Sequence, residues 1–385
     1  MEFYTKNKQK IIFLLFGALS ATYLLSLPLM QLFAALIILL WLFEKDKFKR
    51  FGILQLLFGL FVIIRVISIF TSQYIELSRP SLYKDTLFYL SFFPFSYYLS
   101  GFDLQRKEKL MDIFVIASVL VSLIGIALFS LNIKPRAQSY MAGYGTFSTY
   151  LLVAFAFFIH YASRGREYFK GQNILTGAVI LTGLVLALSR TDIGIAVMLM
   201  AGAFILKKIK FSSLFFILLL TAAFSAAAFS LNNRELNSRV SNPATLSDRN
   251  VLWGTAYRLA GEHPVIGFGP RTFNSVFTHR DQLGDKEVGS WHNDYITVYI
   301  ESGAAGLIAF LLFILYLLKI NLLVNWKEFK QGLNNTLNYA AFTAVAAMLL
   351  SAFFSGFVGN PILSVIFAMT AALSAGDNKS VPAGN

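Results

Sequence analysis

The stretch IIFLLFGALSATYLLSLPLMQLFAALIILLWLF, residues 11–43, decides the fold class because its 33 residues are almost unbroken in apolar character. A helix needs about 20 apolar residues to cross a hydrocarbon core of roughly 30 Å. The stretch is therefore too long for one span and just long enough for two short ones. Ser26 and Pro28 lie near its middle, where a hinge is expected. These residues predict a membrane hairpin of two helices.

The rest of the chain repeats this pattern. Of its 385 residues, 56% are hydrophobic and 14% are charged, against roughly 25% charged in an average soluble domain. An ordinary soluble protein is thereby excluded, and the chain is predicted to be an all-α polytopic membrane protein with about twelve transmembrane helices. Beyond the hairpin, the predicted spans are residues 51–70, 85–101, 110–131, 144–162, 173–189, 192–206, 211–231, 303–321, 336–357 and 361–375.

The basic residues predict the orientation of the chain. Of the 33 Lys and Arg, 20 fall on one side of the predicted membrane and 5 in the short loops of the other side. Seven more lie in the long segment 232–292, and Arg65 lies inside a span. Basic residues near span ends are retained in the cytoplasm, and long loops are largely exempt from this rule. Both termini are therefore predicted to be cytoplasmic. The net charge of +13 reflects this distribution, and no nucleic-acid partner is expected.

These expectations divide the chain into four parts. Residues 1–231 hold transmembrane helices 1–9, and residues 232–302 form one large outward-facing loop that contains short helices. Residues 303–375 hold helices 10–12. The polar tail, residues 376–385, is expected to be disordered in the cytoplasm.

The outward-facing loop contains residues that predict helix ends and turns. Ser247 or Asp248 can cap a helix over about residues 249–260, and Gly261 is a typical stop. The connector that follows, PVIGFGPRTF at residues 264–273, is rich in residues that require special backbone geometry. We therefore expect a folded loop.

The segment SWHND, residues 290–294, predicts the start of the next long helix, capped by Ser290 and running to about Lys319. Such a helix would be about 45 Å long, well over the thickness of the bilayer core. His292 in its first turn would stand in the aqueous or headgroup layer. The positive end of the helix dipole disfavours imidazolium, so a neutral His292 that can accept a proton is expected. The alternative is an interfacial residue without chemistry.

The segment SGAAG follows on the same predicted helix. Gly303 lies eleven residues after His292, which puts it on nearly the same face of a continuous helix, whereas Glu301 points the opposite way. Gly303 and Gly306 form a small-residue patch that is expected to admit a neighbouring helix. Packing alone would also explain this patch.

Two arginines lie at outward ends of predicted spans, where an unneeded cation is costly. Arg190 follows one span, and Arg136 lies between the fifth and sixth spans. Guanidinium groups at the headgroup level suit a diphosphate, because they offer a planar fork of donors. Arg190 could instead pair with Asp192.

Arg65, inside the third span, has no predicted functional role. Its side chain is expected either to snorkel toward the membrane surface or to pair with Glu76 or Asp85.

Several chemistries lack support in the chain. Cysteine is absent, no Asp-x-Asp occurs, and no His/Asp/Glu cluster has metal-ligand spacing. Neither a Walker-type loop nor a Gly-rich nucleotide turn follows a strand pattern. No metal or cofactor is therefore predicted, and an activated lipid is the expected energy source.

The motifs resemble those of the O-antigen ligase family, which shares its superfamily with O-antigen and exopolysaccharide polymerases. HNDYITVYIESGAAG, residues 292–306, is similar to the family's pattern of His-Asn, nine residues and Gly-x-x-Gly. SDRNVLWGTAYRLAGEHPVIGFGPRTF, residues 247–273, resembles the preceding family segment, and LALSRTDIG, residues 186–194, resembles its Ser-Arg signature. The family often has a small residue or Pro after the second Gly, where this chain has Leu307.

The resemblance implies an inverting, metal-independent glycosyltransferase of lipopolysaccharide biosynthesis in the bacterial inner membrane. A glycan would pass from a polyprenyl (undecaprenyl) diphosphate donor to a hydroxyl of the lipid A-core oligosaccharide at the periplasmic face. By motif, His292 would be the catalytic base, and Arg190 and Arg249, with Arg136 as a further ligand, would hold the donor diphosphate. Asn293 would orient His292 or the acceptor. Gly303 and Gly306 would support this segment.

Two alternatives remain open. One is a polymerase of the same superfamily, which joins repeat units on the lipid carrier. The other is a transporter of lipid-linked glycan without bond chemistry. A transporter is expected to place polar residues near the bilayer midplane on broken helices, whereas the polar residues here concentrate in one outward loop.

Overall fold

The computed structural model describes residues 2–163, 170–232, 248–284, 288–330 and 336–375. Within these ranges the chain consists of helices and connecting turns, without a strand, which confirms the all-α class. The helices are α1 (Glu2–Thr22), α2 (Leu27–Leu42), α3 (Ile53–Thr71), α4 (Ile75–Ser78), α5 (Ser81–Lys84), α6 (Thr86–Leu99), α7 (Leu104–Ser130), α8 (Tyr144–Ser163), α9 (Lys170–Leu186), α10 (Arg190–Ile205), α11 (Phe211–Leu231), α12 (Arg249–Leu259), α13 (Phe273–Val276), α14 (Asp294–Lys330), α15 (Thr336–Ser351) and α16 (Pro361–Ala375).

Each predicted span overlaps one helix, although α15 ends at Ser351, six residues before the end of the predicted span 336–357. The hairpin at residues 11–43 corresponds to α1 and α2, and the Ser26 side chain caps α2 by accepting from the Leu29 amide at 3.5 Å. Among the described residues, α3, α7, α8, α11 and α14 are long and apolar enough to cross a membrane. Helices α2, α9, α15 and α16 are apolar but shorter. The count of twelve transmembrane helices therefore stays a prediction.

Helix α8 is the centre of the bundle. Its residues 147–160 are all buried, and it packs against α7, α9, α10, α15 and α16. Helices α3 and α11 lie at the periphery and expose many large apolar side chains, such as Leu56, Phe70, Phe215 and Leu219. Apolar surface of this extent suits contact with lipid, since a soluble monomer rarely exposes it.

The connecting segments meet at two opposite ends of the bundle. The end that we call the loop end contains the segments predicted to face outward, and contacts between distant segments hold it together. These contacts join Asn132 to Leu231, Asn360 to Thr146, Arg249 to Phe354 and Arg271 to Asp85. At the other end, Lys8 pairs with Glu44 and Arg106 with Gln9.

Helix α14 differs from the expectation of one continuous helix. It begins at Asp294, because the Asn293 side chain takes the cap position and accepts from the Ile296 amide at 3.0 Å. His292 lies before the helix in the left-handed region, with φ 50°. The predictions that Ser290 caps this helix and that His292 lies in its first turn are therefore wrong. Asn caps a helix as well as Ser does, so sequence preference alone did not separate the two.

Gly303 breaks α14 into residues 294–302 and 304–330, with φ 63° and ψ −167°. The prediction that Gly303 lies beneath His292 on one helix is therefore wrong as well. The backbone of residues 264–269, the first part of the connector, lies at this break. The amides of Ala304 and Ala305 donate to the carbonyls of Pro264 and Val265 at 2.8 and 3.1 Å.

The connector also donates hydrogen bonds to the last carbonyl groups of the first half of the helix. The amides of Phe268 and Gly269 donate to the carbonyls of Ile300 and Glu301 at 2.8 and 2.9 Å. A Cβ on Gly267 would lie 2.5 Å from the Glu301 carbonyl carbon. The small-residue patch thus admits the backbone of the loop, and not a helix as predicted, because backbone groups freed by a break must find partners.

The loop has a small hydrophobic core of its own. Helix α12 occupies nearly the predicted residues 249–260. Asp248 precedes it with φ 61° and makes no capping hydrogen bond with its side chain, so the prediction of a side-chain cap by Asp248 is wrong, while Ser247 lies outside the described residues. The Asp248 carboxylate accepts instead from the Gly284 amide at 2.9 Å, which joins the loop to the start of the helix. The buried residues of this core are Leu252, Ala256, Phe268, Phe273, Val276, Phe277, Leu283, Val288, Trp291 and Ile300. The expectation of a folded loop with short helices agrees with this arrangement.

Candidate active site

His292 is held between α12 and the segment that follows α15. On one side, the Trp253 indole donates to the Trp291 carbonyl at 3.1 Å. On the other side, the Asp294 amide donates to the Ala352 carbonyl at 2.9 Å. The left-handed backbone of a non-glycine residue costs free energy and persists only where its surroundings determine it. The half-buried His292 side chain therefore projects from a firmly held backbone.

Trp291 anchors this segment from within. Its ring is 1% exposed and stands edge-on against Phe273 and Phe277, with centroids 4.9 and 5.9 Å apart. Aromatic pairs in this geometry add stability beyond burial of area. The loop core thus fixes the residue directly before His292.

Asp294 organises the facing segment, residues 351–358, which we call the 351–358 turn. Its buried carboxylate accepts from the amides of Phe357 and Val358 at 2.6 and 3.2 Å. A Cβ on Gly356 would overlap this carboxylate, so only glycine fits there. Sequence reasoning placed Asp294 in a polar cluster but missed this role, because the partners lie about 60 residues further along the chain.

Arg249 binds the same turn. Its Nη2 donates to the Phe354 carbonyl at 2.7 Å, and its guanidinium lies over the Phe354 ring at 5.7 Å. Its buried Nε has no hydrogen-bond partner among the described residues. Partial burial lowers the pKa of Arg249, and the like charge of Arg190 lowers it further, while Tyr144 acts in the opposite sense. Arg190 therefore lies close enough to act electrostatically on Arg249, whereas their part in binding a diphosphate stays a prediction.

Tyr144 connects the third arginine to this pair. The Arg136 guanidinium lies 4.1 Å from the centre of the Tyr144 ring, a cation–π contact, and Tyr144 interacts electrostatically with Arg249. We call Arg136, Arg190 and Arg249 the arginine cluster. Sequence reasoning missed Tyr144, because no local pattern connects it to arginines 46 and 105 residues later.

Three helices begin at the arginine cluster. Tyr144 is the first residue of α8, Arg190 of α10 and Arg249 of α12. The first amides of a helix have no partner within it, and the helix dipole places partial positive charge at this end. Three guanidinium groups and three such helix ends make the site strongly favourable for an anion such as a phosphate.

Residues 175–311 match the O-antigen ligase family. The match covers 137 of the 385 residues, so the similarity is to this part of the chain. The matched part contains Arg190, Arg249 and His292 together with the break at Gly303, whereas Arg136 lies before it. No curated protein matches the chain.

A buried ion pair joins the matched segment, residues 175–311, to α3. Arg65 Nη2 lies 2.7 Å from the Glu301 carboxylate, and both side chains are less than a tenth exposed. The other oxygen of Glu301 accepts from the Arg271 amide at 2.9 Å. The predicted partners of Arg65 were wrong, since Asp85 binds the Arg271 side chain at 3.1 Å and Glu76 pairs with Arg79.

The remaining predicted site residues are placed as follows. Asn293 is the cap of α14, so its proposed part in orienting His292 or an acceptor stays a prediction. Gly303 is the break in that helix, and Gly306 lies against Ser302 of the turn before it. Both glycines thus shape the segment that follows His292.

Proposed function

We propose that the protein is an O-antigen ligase. It transfers a glycan from a polyprenyl (undecaprenyl) diphosphate donor to a hydroxyl of the lipid A-core oligosaccharide, with inversion and without a metal. The observation that carries this proposal is that Arg249 binds the 351–358 turn, which also holds the Asp294 amide, two residues after His292. Arg190 and Tyr144 act electrostatically on Arg249. An anion site next to a proton acceptor is what transfer from a diphosphate to a hydroxyl requires.

The arginine cluster binds the donor diphosphate in this proposal. Negative charge grows on the leaving diphosphate as its bond to the sugar breaks, and fixed cations stabilise that charge. Arg249 is the best placed of the three, because its Nε is buried without a partner within the described part of the chain. A bound phosphate oxygen would supply the missing acceptor.

His292 is the general base. It takes the proton from the acceptor hydroxyl while the acceptor oxygen attacks the anomeric carbon, and the polyprenyl diphosphate leaves with the bonding electrons. A histidine near neutral pH is well suited to this step. Attack from the face opposite the diphosphate inverts the anomeric centre.

The loop end faces the periplasm in this proposal, with both termini in the cytoplasm of a bacterial cell and the helices in the inner membrane. The distribution of 20 basic residues on one side against 5 in the short loops of the other supports this orientation. The segments with few basic residues share the end that holds the arginine cluster. The diphosphate of a membrane-bound donor would lie at this level.

A polymerase of the same superfamily is the second candidate, because the family match covers both activities. The lipopolysaccharide profile of a deletion strain separates them. Free lipid-linked polymer with bare core indicates a ligase, whereas core that carries single repeats indicates a polymerase.

The same strain tests His292. The wild-type gene should restore the full profile, and His292→Ala should restore none of it while protein amount and membrane insertion persist. Near-normal surface glycan with His292→Ala would refute the assignment of the base.

A further inference from the structure

A buried carboxylate lies two residues after Arg190, next to the arginine cluster, and the proposed mechanism does not use it. Asp192, in the first turn of α10, is 2% exposed. Its Oδ2 accepts from the hydroxyl groups of Ser148, Thr149 (3.5 Å) and Ser189 (3.0 Å). Its Oδ1 accepts from Ser351 at 2.7 Å. Four hydroxyl groups thus donate to one carboxylate, three of them to the same oxygen.

Two of the helix ends at the site are joined through this carboxylate. Ser148 and Thr149 lie in the first two turns of α8, close after Tyr144. Ser189 directly precedes Arg190, the first residue of α10. Asp192 therefore sets the distance between the starts of α8 and α10.

The hydrogen bond from Ser351 connects Asp192 to the 351–358 turn. Ser351 ends α15 and begins the 351–358 turn. Backbone carbonyls of this turn accept from Arg249 and from the Asp294 amide, two residues after His292. One carboxylate thus joins the starts of α8 and α10 to the turn that binds Arg249 and the Asp294 amide.

We propose that Asp192 is a positioning residue, which holds Arg190, Arg249 and His292 in register with one another for the donor diphosphate. This inference rests on the proposed function. The hydroxyl donors come from α8, from the residue before α10 and from the end of α15. Thr149 and Ser351 also contact each other at 3.2 Å, whereas among these contacts Asp192 is what connects α10 to both of them. A misplacement of about 1 Å in a site of this kind can lower its effectiveness roughly 100-fold.

A buried polar cluster also contributes to stability, so the test must separate stability from positioning. Asn321 is a matched control at the other end of the bundle. It is 2% exposed and joins α14 to α16 by donating to Ser374 at 3.2 Å. Asn321→Ala removes a buried polar connection of similar size without touching the loop end.

The experiment measures binding of farnesyl diphosphate to the full-length protein in lipid nanodiscs, with farnesol as the probe that lacks the diphosphate. Arg190→Ala and Arg249→Ala define the specific signal. We expect Asp192→Ala to raise the Kd for farnesyl diphosphate at least tenfold and Asp192→Asn to raise it less, because the amide keeps one acceptor oxygen. Asn321→Ala should leave the Kd within twofold, even where its melting temperature falls as far as that of Asp192→Ala.

Ser351→Ala is the second variant, for the case that Asp192→Ala fails to fold. It removes only the connection to the 351–358 turn and should raise the Kd several-fold. An unchanged Kd in the folded Asp192 or Ser351 variants, together with lost binding in the arginine variants, overturns the positioning role and leaves the proposed function standing. Absence of arginine-dependent binding in the wild type overturns both.

Discussion

Gly303→Ala should break the contact between residues 264–269 and α14. The wild-type residue has φ 63° and ψ −167°, a region that essentially only glycine adopts. A Cβ there would lie 2.5 Å from the Ile266 amide nitrogen and closer still to the Val265 carbonyl group. These are backbone atoms, so no side-chain rotation can relieve the overlap.

The expected loss of stability follows from the hydrogen bonds that the connector would lose. Four backbone hydrogen bonds of 2.8–3.1 Å join residues 264–269 to the two halves of the helix. Each is worth about 1 kcal/mol net, and the strained backbone adds about 1–3 kcal/mol. If the connector moves away, the loss is on the order of 5 kcal/mol, which is a large part of the stability of a typical domain.

Gly254→Ala is the matched control. This glycine lies in α12 of the same loop, and a Cβ there would meet nothing within 4 Å. Alanine in a helix is favoured over glycine by roughly 0.5–1 kcal/mol, so this variant should be unchanged or slightly more stable. Thermal unfolding of the purified proteins in detergent, with limited proteolysis of the loop, measures the difference. Equal melting temperatures and equal proteolysis for the two variants would refute the reasoning.

Gly267→Ala breaks the same contact from the other side, so its combination with Gly303→Ala should cost clearly less than the sum of the single changes. Arg65→Leu and Glu301→Leu should each destabilise by about 3–5 kcal/mol because each leaves a buried charge without its partner. The double variant should recover part of that loss, and a fully additive double variant in a thermal-unfolding cycle would contradict a direct pair. Removal of divalent metals with a chelator should leave glycan transfer by the purified protein intact. A loss of transfer that added Mg²⁺ restores would disprove metal independence.

Local patterns predicted the helices well because hydropathy and capping act over short stretches of chain. The hinge near Pro28 and the extent of α12 were foreseen from a few neighbouring residues. The same reasoning was wrong about the start of α14, since both Ser290 and Asn293 are good caps and the choice depends on how residues 291–294 pack. It was also wrong about Arg65, whose partner lies 236 residues away.

The sequence by itself determined the all-α class and the positions of the apolar helices. It also supplied the arginines that suit a diphosphate and the histidine that suits a general base. Only the tertiary structure decided that SGAAG is a break in a helix and not a contact between two helices. The reason is that the backbone groups freed at Gly303 find their hydrogen-bond partners in the distant residues 264–269. The tertiary structure also decided that Asp192, Tyr144 and the 351–358 turn belong with the arginine cluster. Such groupings follow from contacts between segments distant in the chain, and no local periodicity encodes them.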